Sequence, residues 1–170
     1  MIDAIIYESN SGFTKKYAML LSDATGLPCY TTAEALNSLK KGYKVIFLGW
    51  LRAGSIVGLK KAQSGFEVLA AVGVGMRAQN SVALTDMKNQ NKLGDLPAFY
   101  LRGGMDMSKL HGLNKLMLQF ALKVMSQKPP KDDPEASETM DMMQNGKEFV
   151  SPANLKEILD WYNNKCTNTL

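Results

Sequence analysis

Short apolar runs alternate with amphipathic segments through residues 1–126. The runs predict five strands, at residues 4–7, 28–30, 44–50, 66–74 and 97–102. The intervening segments have apolar residues at helical spacing and predict helices at residues 12–25, 31–41, 57–63, 78–92 and 108–126. Runs 44–50 and 66–74 are apolar at successive positions, as in central strands covered on both faces. The alternation predicts an α/β protein with a doubly wound five-stranded parallel sheet.

Local signals predict several helix ends. Gly26 ends the first helix and Pro28 follows it. Thr31 and Glu34 have the spacing of a capping box. In the helix at 108–126 the positions predicted to face the core are Leu110, Leu113, Met117, Phe120, Ala121 and Val124.

The chain after residue 126 has a different composition. A linker rich in proline and charge begins at residue 127, and residues 135–144 predict a short acidic helix. Ser151 caps a last helix with Pro152 in its first turn. The apolar stripe of this helix is predicted to pack on the domain, with binding to a partner as the alternative. The stripe consists of Leu155, Ile158, Leu159 and Tyr162. We therefore predict a domain at 1–126 and a linker and helical tail at 127–170, which forms a C-terminal helical extension packed on it.

Charge and composition limit the functional classes. The net charge is +7 over residues 1–126 and −3 over residues 127–170. A basic core attracts anionic ligands, but its cations are scattered and not interleaved with aromatic residues, so no nucleic-acid partner is expected. The longest apolar run, 68–76, is far shorter than the about 20 residues of a transmembrane helix. Peripheral membrane contact through the methionines at 140–143 is possible, although a methionine-rich cover over the core is favoured.

The ends of the sequence and its cysteines predict a cytoplasmic location. No leader precedes the first strand, and Cys29 and Cys166 form no disulfide framework or metal pattern. His111 is the single histidine, which argues against histidine-based zinc sites. The glycine patterns of P-loops and dinucleotide-binding folds are absent.

The candidate chemistry lies in the loop between the first strand and the first helix. This loop is rich in hydroxyl groups and contains Gly12, and it leads directly into a helix N-terminus. Such an N-terminus binds anions because its N–H groups are unpaired and the helix dipole is positive there. In doubly wound sheets ligands bind at the carboxyl ends of the strands, so the loops at 8–14, 50–56 and 73–78 are the predicted site.

Residues 5–18 resemble the flavodoxin signature, in which a strand, a Ser/Thr-rich loop with glycine, and a helix follow one another. The resemblance implies a flavodoxin-like fold that binds flavin mononucleotide (FMN) by its phosphate. Carried onto this chain, the phosphate-binding residues are Ser9, Asn10, Ser11, Gly12, Phe13 and Thr14.

A narrower resemblance covers residues 49–54, 72–77 and 100–106. These segments are similar to the flavodoxin-domain family that includes the oxygen-independent protoporphyrinogen oxidase. The resemblance implies an FMN-dependent oxidoreductase that acts on a small molecule or a quinone. The alternatives are a flavodoxin-type electron carrier that serves redox partner proteins, and a protein-interaction domain without flavin.

The residues expected to contact the flavin ring follow the third and fourth predicted strands. They are Trp50, Leu51, Arg52, Ala53, Gly54, Ser55, Gly75, Met76 and Arg77. Trp50 is placed to stack on the ring, or alternatively to pack against the sheet edge. Arg52 or Arg77 could place a cation near the N1–C2=O edge and raise the reduction potential, or be a solvated surface arginine.

Overall fold

In a computed structural model, residues 1–106, 116, 119, 120, 123, 124 and 134–167 are described. The strands along the first part of the chain are β1 (Ala4–Glu8), β2 (Cys29–Thr31), β3 (Lys44–Arg52), β4 (Ser55–Ile56), β5 (Glu67–Gly75) and β6 (Ala98–Arg102). The sheet order is β2-β1-β3-β5-β6, with every neighbouring pair parallel, and β4 pairs antiparallel with β3. This order confirms the predicted doubly wound, flavodoxin-like fold.

The helices of this part are α1 (Phe13–Thr25), α2 (Thr32–Ser38), α3 (Leu59–Gln63) and α4 (Ser81–Gln90). Their ends follow the local signals. Gly26 is left-handed at φ 70° and its N–H donates to the carbonyl of Ser22, and both bonds of the Thr31–Glu34 capping box form. The capping bonds lower the pKa of the Glu34 carboxyl, because they favour its charged form.

The sheet has a core on each face. On the first face, which we call the α1 face, α1 covers Ile5, Leu48 and Val72 with buried residues that include Tyr17 and Leu21. On the opposite face, the α4 face, the helices α2, α3 and α4 cover residues that include Phe47, Ala71 and Tyr100. The split follows the two-residue alternation of the strands.

The tail packs on the α1 face. It contains α5 (Pro134–Asn145), β8 (Lys147–Glu148), a 3-10 turn (Pro152–Leu155) and α6 (Lys156–Thr167), and β8 pairs antiparallel with β7 (Gly104–Met105). Leu155 and Ile158 are buried in the same cluster as α1, and the Trp161 ring lies 5.9 Å from that of Phe99. The Ser151 hydroxyl caps the 3-10 turn by accepting from the N–H of Ala153.

Two sequence predictions are wrong. The expected loop at 50–55 is a β-hairpin, because β3 continues to Arg52 and turns directly into β4. Phe120 and Val124, predicted to face the core, are 68% and 50% exposed. Periodicity identifies one face of a helix but not what covers that face. The other predicted core positions of that helix, and His111, lie outside the described residues. Within the described residues no helix is long and apolar enough to span a membrane.

Candidate functional site

The strand register brings the three predicted loops to one edge of the sheet. Glu8 at the end of β1 is level with Gly49 in β3, and Gly49 is level with Gly73 in β5. Neighbouring strands lie about 4.8 Å apart. Glu8, Gly49 and Gly73 therefore lie within about 10 Å of one another, and the three segments leave the sheet at the same edge, within three residues of this level.

The loop between β1 and α1 leaves the helix N-terminus open. Gly12 is its N-cap at φ 93°, which favours glycine, and no heavy atom lies within 4 Å of the position that a Cβ would occupy. Gly12 has no side chain to cap the first turn, although the Ser9 hydroxyl accepts from the N–H of Lys15 at 3.3 Å. Phe13 and Thr14 are buried, so the exposed surface of the loop comes from residues 9–12.

The two lysines that follow this loop differ in their surroundings. The Lys16 ammonium pairs with the Glu148 carboxylate of β8, at 2.5 and 2.7 Å from its two oxygens. Lys15 is exposed and near enough to Glu34 to help lower the pKa of that carboxyl. The tail therefore neutralises one of the two cations beside the loop, which leaves the hydroxyls and N–H groups as the main candidates for binding an anion.

The hairpin of β3 and β4 forms the second part of the site. Its turn consists of Ala53 at φ 46° and Gly54 at φ 80°, and positive φ at both positions matches the twist of a tight hairpin. Trp50 alternates with Leu48, so it points towards the α1 face, and it is half-buried. The guanidinium of Arg52 lies 5.9 Å from the centre of the Trp50 ring, so one side of that ring has a cation beside it.

Asn91 holds this hairpin in place. Its side-chain oxygen accepts from the N–H of Ile56 at 2.8 Å, and its amide donates to the carbonyls of Gly54 and Met87 at 2.9 and 2.8 Å. Arg52 and Ser55 face each other on either side of the two-residue turn, and their main chains are paired in the β3–β4 ladder. The hairpin amides that remain for a ligand are therefore at the turn, at Ala53 and Gly54.

The segment 75–77 is the third part of the site, and three donors fix its carbonyls. The Gly103 N–H donates to Gly75 at 2.8 Å, the Arg102 side chain to Met76 at 3.3 Å, and the Tyr100 hydroxyl to Arg77 at 3.3 Å. A Cβ on Gly75 would come within 2.4 Å of that hydroxyl. Close packing against Tyr100 therefore requires glycine at this position.

The Arg77 side chain is engaged in an ion pair. Its guanidinium lies 2.7 Å from the Asp86 carboxylate of α4, and both side chains are substantially exposed. The structure thus places Arg77 and Arg52 against different neighbours, Asp86 and Trp50. Arg52 is the one associated with the aromatic ring expected to stack on a flavin.

A cavity of about 300 Å³ lies between the hairpin turn and the segment 75–77. Met87 and Tyr100 contribute to its wall, and Asp86 and Gln90 are polar groups on it. Six predicted site residues line it together: Leu51, Ala53, Gly54, Gly75, Met76 and Arg77. Trp50 and the residues at 9–14 do not line this cavity. Twelve of the predicted residues therefore fall into two parts, an open helix N-terminus and an apolar cavity, whereas Trp50, Arg52 and Ser55 belong to neither.

Sequence reasoning missed Arg102, which joins the site to the tail. Besides its bond to Met76, its guanidinium lies 2.6 Å from the Glu138 carboxylate and 3.7 Å from the centre of the Phe149 ring. The pKa of the Glu138 carboxyl is lowered, chiefly by the hydrogen bond from Arg102. The sequence offered one signal of this junction with the tail, the pair Gly103-Gly104. A Cβ on Gly104 would lie within 2.2 Å of the Lys147 carbonyl, so the tail can approach here only because this residue is glycine.

Two titratable groups in the core of the α1 face, Tyr17 and Cys29, have pKa values raised by burial. The Tyr17 hydroxyl donates to the Arg102 carbonyl and accepts from the Asn154 amide, both at 2.6 Å, and burial raises its pKa. Burial raises the pKa of the Cys29 thiol to about 11. Among the described residues no group of three or more His, Cys, Asp or Glu could hold a metal ion.

Comparison with known proteins adds nothing to these observations. No family model matches the sequence, and the searches of curated proteins and of solved structures give no match. Function is therefore argued from the fold, the loop geometry and the residues at the carboxyl edge of the sheet.

Proposed function

We propose that this protein binds FMN and carries out electron or hydride transfer. The observation that carries the proposal is the open N-terminus of α1, reached through the hydroxyl-rich loop at the carboxyl edge of the sheet. The strand order places two further segments beside it, the hairpin and residues 75–77. The resemblance of residues 5–18 to flavodoxins points to the same cofactor.

The loop has donors suited to a phosphate. The Ser9 hydroxyl accepts from Lys15, which leaves its own proton free to donate to a ligand. Ser11 and Asn10 add a hydroxyl and an amide, and Gly12 leaves room for a ligand to approach the first helical turn. The helix dipole and the exposed Lys15 favour negative charge there. These groups would hold the phosphate of FMN.

The hairpin and residues 75–77 would hold the ring. When bound, FMN supplies the redox chemistry, and the protein orients it and tunes its potential. Trp50 offers a ring face towards the α1 side, and the turn amides of Ala53 and Gly54 are available as donors. Arg52, 5.9 Å from the Trp50 ring, is the cation that we assign to the ring site in preference to Arg77, which pairs with Asp86.

We favour an oxidoreductase of the flavodoxin-like protoporphyrinogen oxidase type. The support is the resemblance of residues 49–54, 72–77 and 100–106, together with the cavity of about 300 Å³ between the segments that flank the ring site. A cavity of this size lies at the lower end of the range for small-molecule sites. The alternative is an electron carrier, which requires a docking surface for a redox partner protein.

Titration with FMN and with riboflavin tests the proposal, because riboflavin lacks the phosphate. We expect FMN to bind with quenching of its fluorescence. Ser11→Asp places a carboxylate beside the phosphate, with a repulsion of about 1–4 kcal/mol at about 4 Å. FMN affinity should therefore fall at least about fivefold, since 1.4 kcal/mol corresponds to about tenfold. Riboflavin affinity should be little affected.

Ser11→Asn is the matched control, because it has nearly the same size as aspartate and no charge. It also avoids the strained backbone that any substitution at Gly12 would introduce. An acidic residue near the helix N-terminus favours the helix, so the Asp variant should stay folded. The proposal is wrong if the wild-type protein does not bind FMN, and the loop assignment is wrong if both variants bind it equally well.

A further inference from the structure

A groove of about 720 Å³ lies beside the candidate site, between the hairpin, α3 and the end of α4. Four cationic side chains line it: Arg52, Lys60, Lys61 and Lys92. Among the described residues that line it, Glu8 at the end of β1 is the single acidic one. We call this feature the basic groove.

The four cations come from separate parts of the chain that the fold brings together. Arg52 belongs to β3, Lys60 and Lys61 to α3, and Lys92 follows α4 with a left-handed backbone at φ 53°. The wall between them is held by Asn91, which bonds to the hairpin at both Gly54 and Ile56. The groove is therefore part of the folded framework and is formed before any ligand binds.

The cations of the basic groove have no acidic partner within the described residues, and all four are exposed. Lys16 and Arg102, by contrast, pair with Glu148 and Glu138. Four cations without an acidic partner among the described residues therefore line one groove beside the carboxyl edge. Such a patch attracts an oppositely charged partner and accelerates its encounter.

We infer that the basic groove is the docking surface for an acidic partner protein. Its four cations are exposed, as in surfaces that steer and orient a partner. Glu8 also lines the groove, and its carboxylate would repel a small polyanion bound there. Among the described residues that line the groove none is aromatic, so these residues offer no stacking surface of the kind found in single-stranded nucleic-acid sites. Carboxylates on a protein surface fit the exposed lysines and need not approach Glu8.

Arg52 connects the groove to the candidate flavin site. It lines the groove, and its guanidinium lies 5.9 Å from the Trp50 ring. A partner on the groove would therefore sit next to the expected ring position. That the partner exchanges electrons rests on the proposed function, whereas the docking surface itself rests only on the groove.

The test is a binding measurement with a small acidic [2Fe–2S] ferredoxin as the probe, at low and at moderate ionic strength. We expect binding at about 20 mM salt that weakens strongly at about 200 mM, where charges more than about 8 Å apart are screened. The double variant Lys60→Glu/Lys61→Glu should weaken binding at least about tenfold at the lower salt concentration. Lys92→Glu, on a different element, provides an independent variant.

The matched control is Lys40→Glu/Lys41→Glu. These lysines are also adjacent, exposed and without an ion pair, and they lie outside the groove. If both double variants weaken binding equally, net charge and not the groove is responsible and the inference fails. It also fails if the ferredoxin does not bind, or if a ten-nucleotide oligothymidylate binds the groove more tightly.

The measurement is made with and without FMN, so that the two proposals are tested separately. Binding that depends on Lys60 and Lys61 without FMN supports the docking surface, even if the FMN titration fails. If the wild-type protein binds FMN but does not bind the ferredoxin, the docking surface is overturned and the proposed function is left in place.

Discussion

The α1 face and the α4 face of the sheet are built in different ways. The α1 face is covered by α1 and by the tail, so that Tyr17 contacts Asn154 from a distant part of the sequence. The α4 face is covered by helices that follow one another along the chain, two of which have seven residues or fewer. Both the 300 Å³ cavity and the basic groove involve residues of α4 or of the segment after it.

Long-range packing gives the α1 face a continuous core that includes the last helix. Short local elements line two openings on the α4 face, beside the carboxyl edge of the sheet. The two tryptophans report on the two regions, since Trp161 packs on Phe99 and Trp50 lies in the hairpin.

The largest expected effect on stability comes from a substitution in the core of the α1 face. Ile158→Ala removes a fully buried side chain of α6 and should lower the free energy of unfolding by about 2–5 kcal/mol. Urea denaturation measures the loss, and Glu157→Ala on the same helix should change it by less than about 0.5 kcal/mol. A loss below about 1 kcal/mol for Ile158→Ala would mean that the tail contributes little to the core.

A smaller effect is expected on the α4 face. Asn91→Ala removes three hydrogen bonds that hold the hairpin, each worth about 0.5–1.5 kcal/mol, and leaves partly buried groups unpaired. We expect a loss of about 1–3 kcal/mol, together with altered Trp50 fluorescence in a Trp161→Phe background. Asn89→Ala, exposed on α4, is the control. Unchanged Trp50 fluorescence would show that the hairpin does not depend on Asn91.

The smallest effect on stability is expected at the ion pair between Arg102 of β6 and Glu138 of the tail. Arg102 lowers the pKa of the Glu138 carboxyl, so the pair stabilises the fold above the unfolded-state pKa and is lost as pH falls through the folded-state pKa. Glu138→Gln should therefore slightly lower the melting temperature at about pH 7, and the difference should disappear near pH 3. Asp141→Asn is the control on the same helix, because the Asp141 carboxylate accepts from the neutral amide of Asn145.

Much of the fold could be predicted because strong local signals agree with the pattern. The two-sided apolar strands, the Gly26 terminus and the Thr31–Glu34 capping box are all found as expected. The hairpin was missed because its turn is Ala53-Gly54, whereas tight hairpins are usually signalled by Asn-Gly or Asp-Gly. The strands β7 and β8 have two residues each, too few for alternation to be visible.

The site could be predicted at the level of segments and less well at the level of side-chain contacts. The rule for parallel sheets correctly brought the three loops to one edge, because it depends only on strand order. The sequence did not predict that Arg77 pairs with Asp86 or that Arg102 binds Glu138. Both ion pairs depend on how separate elements of the chain pack together. The basic groove depends on such packing too, since its cations come from three separate segments.

The ladder between β7 and β8 has a consequence for where the tail returns to the sheet. The backbone leaves the ladder at Met105 and returns to it at Lys147, so that the two ends of the intervening segment are held side by side. The entropic cost of joining two points of a chain rises only with the logarithm of the distance between them along the chain, by about 0.6 kcal/mol for each doubling. Two pairs of residues are therefore enough to anchor α5 beside the sheet, where Met142 is fully buried and Glu138 pairs with Arg102.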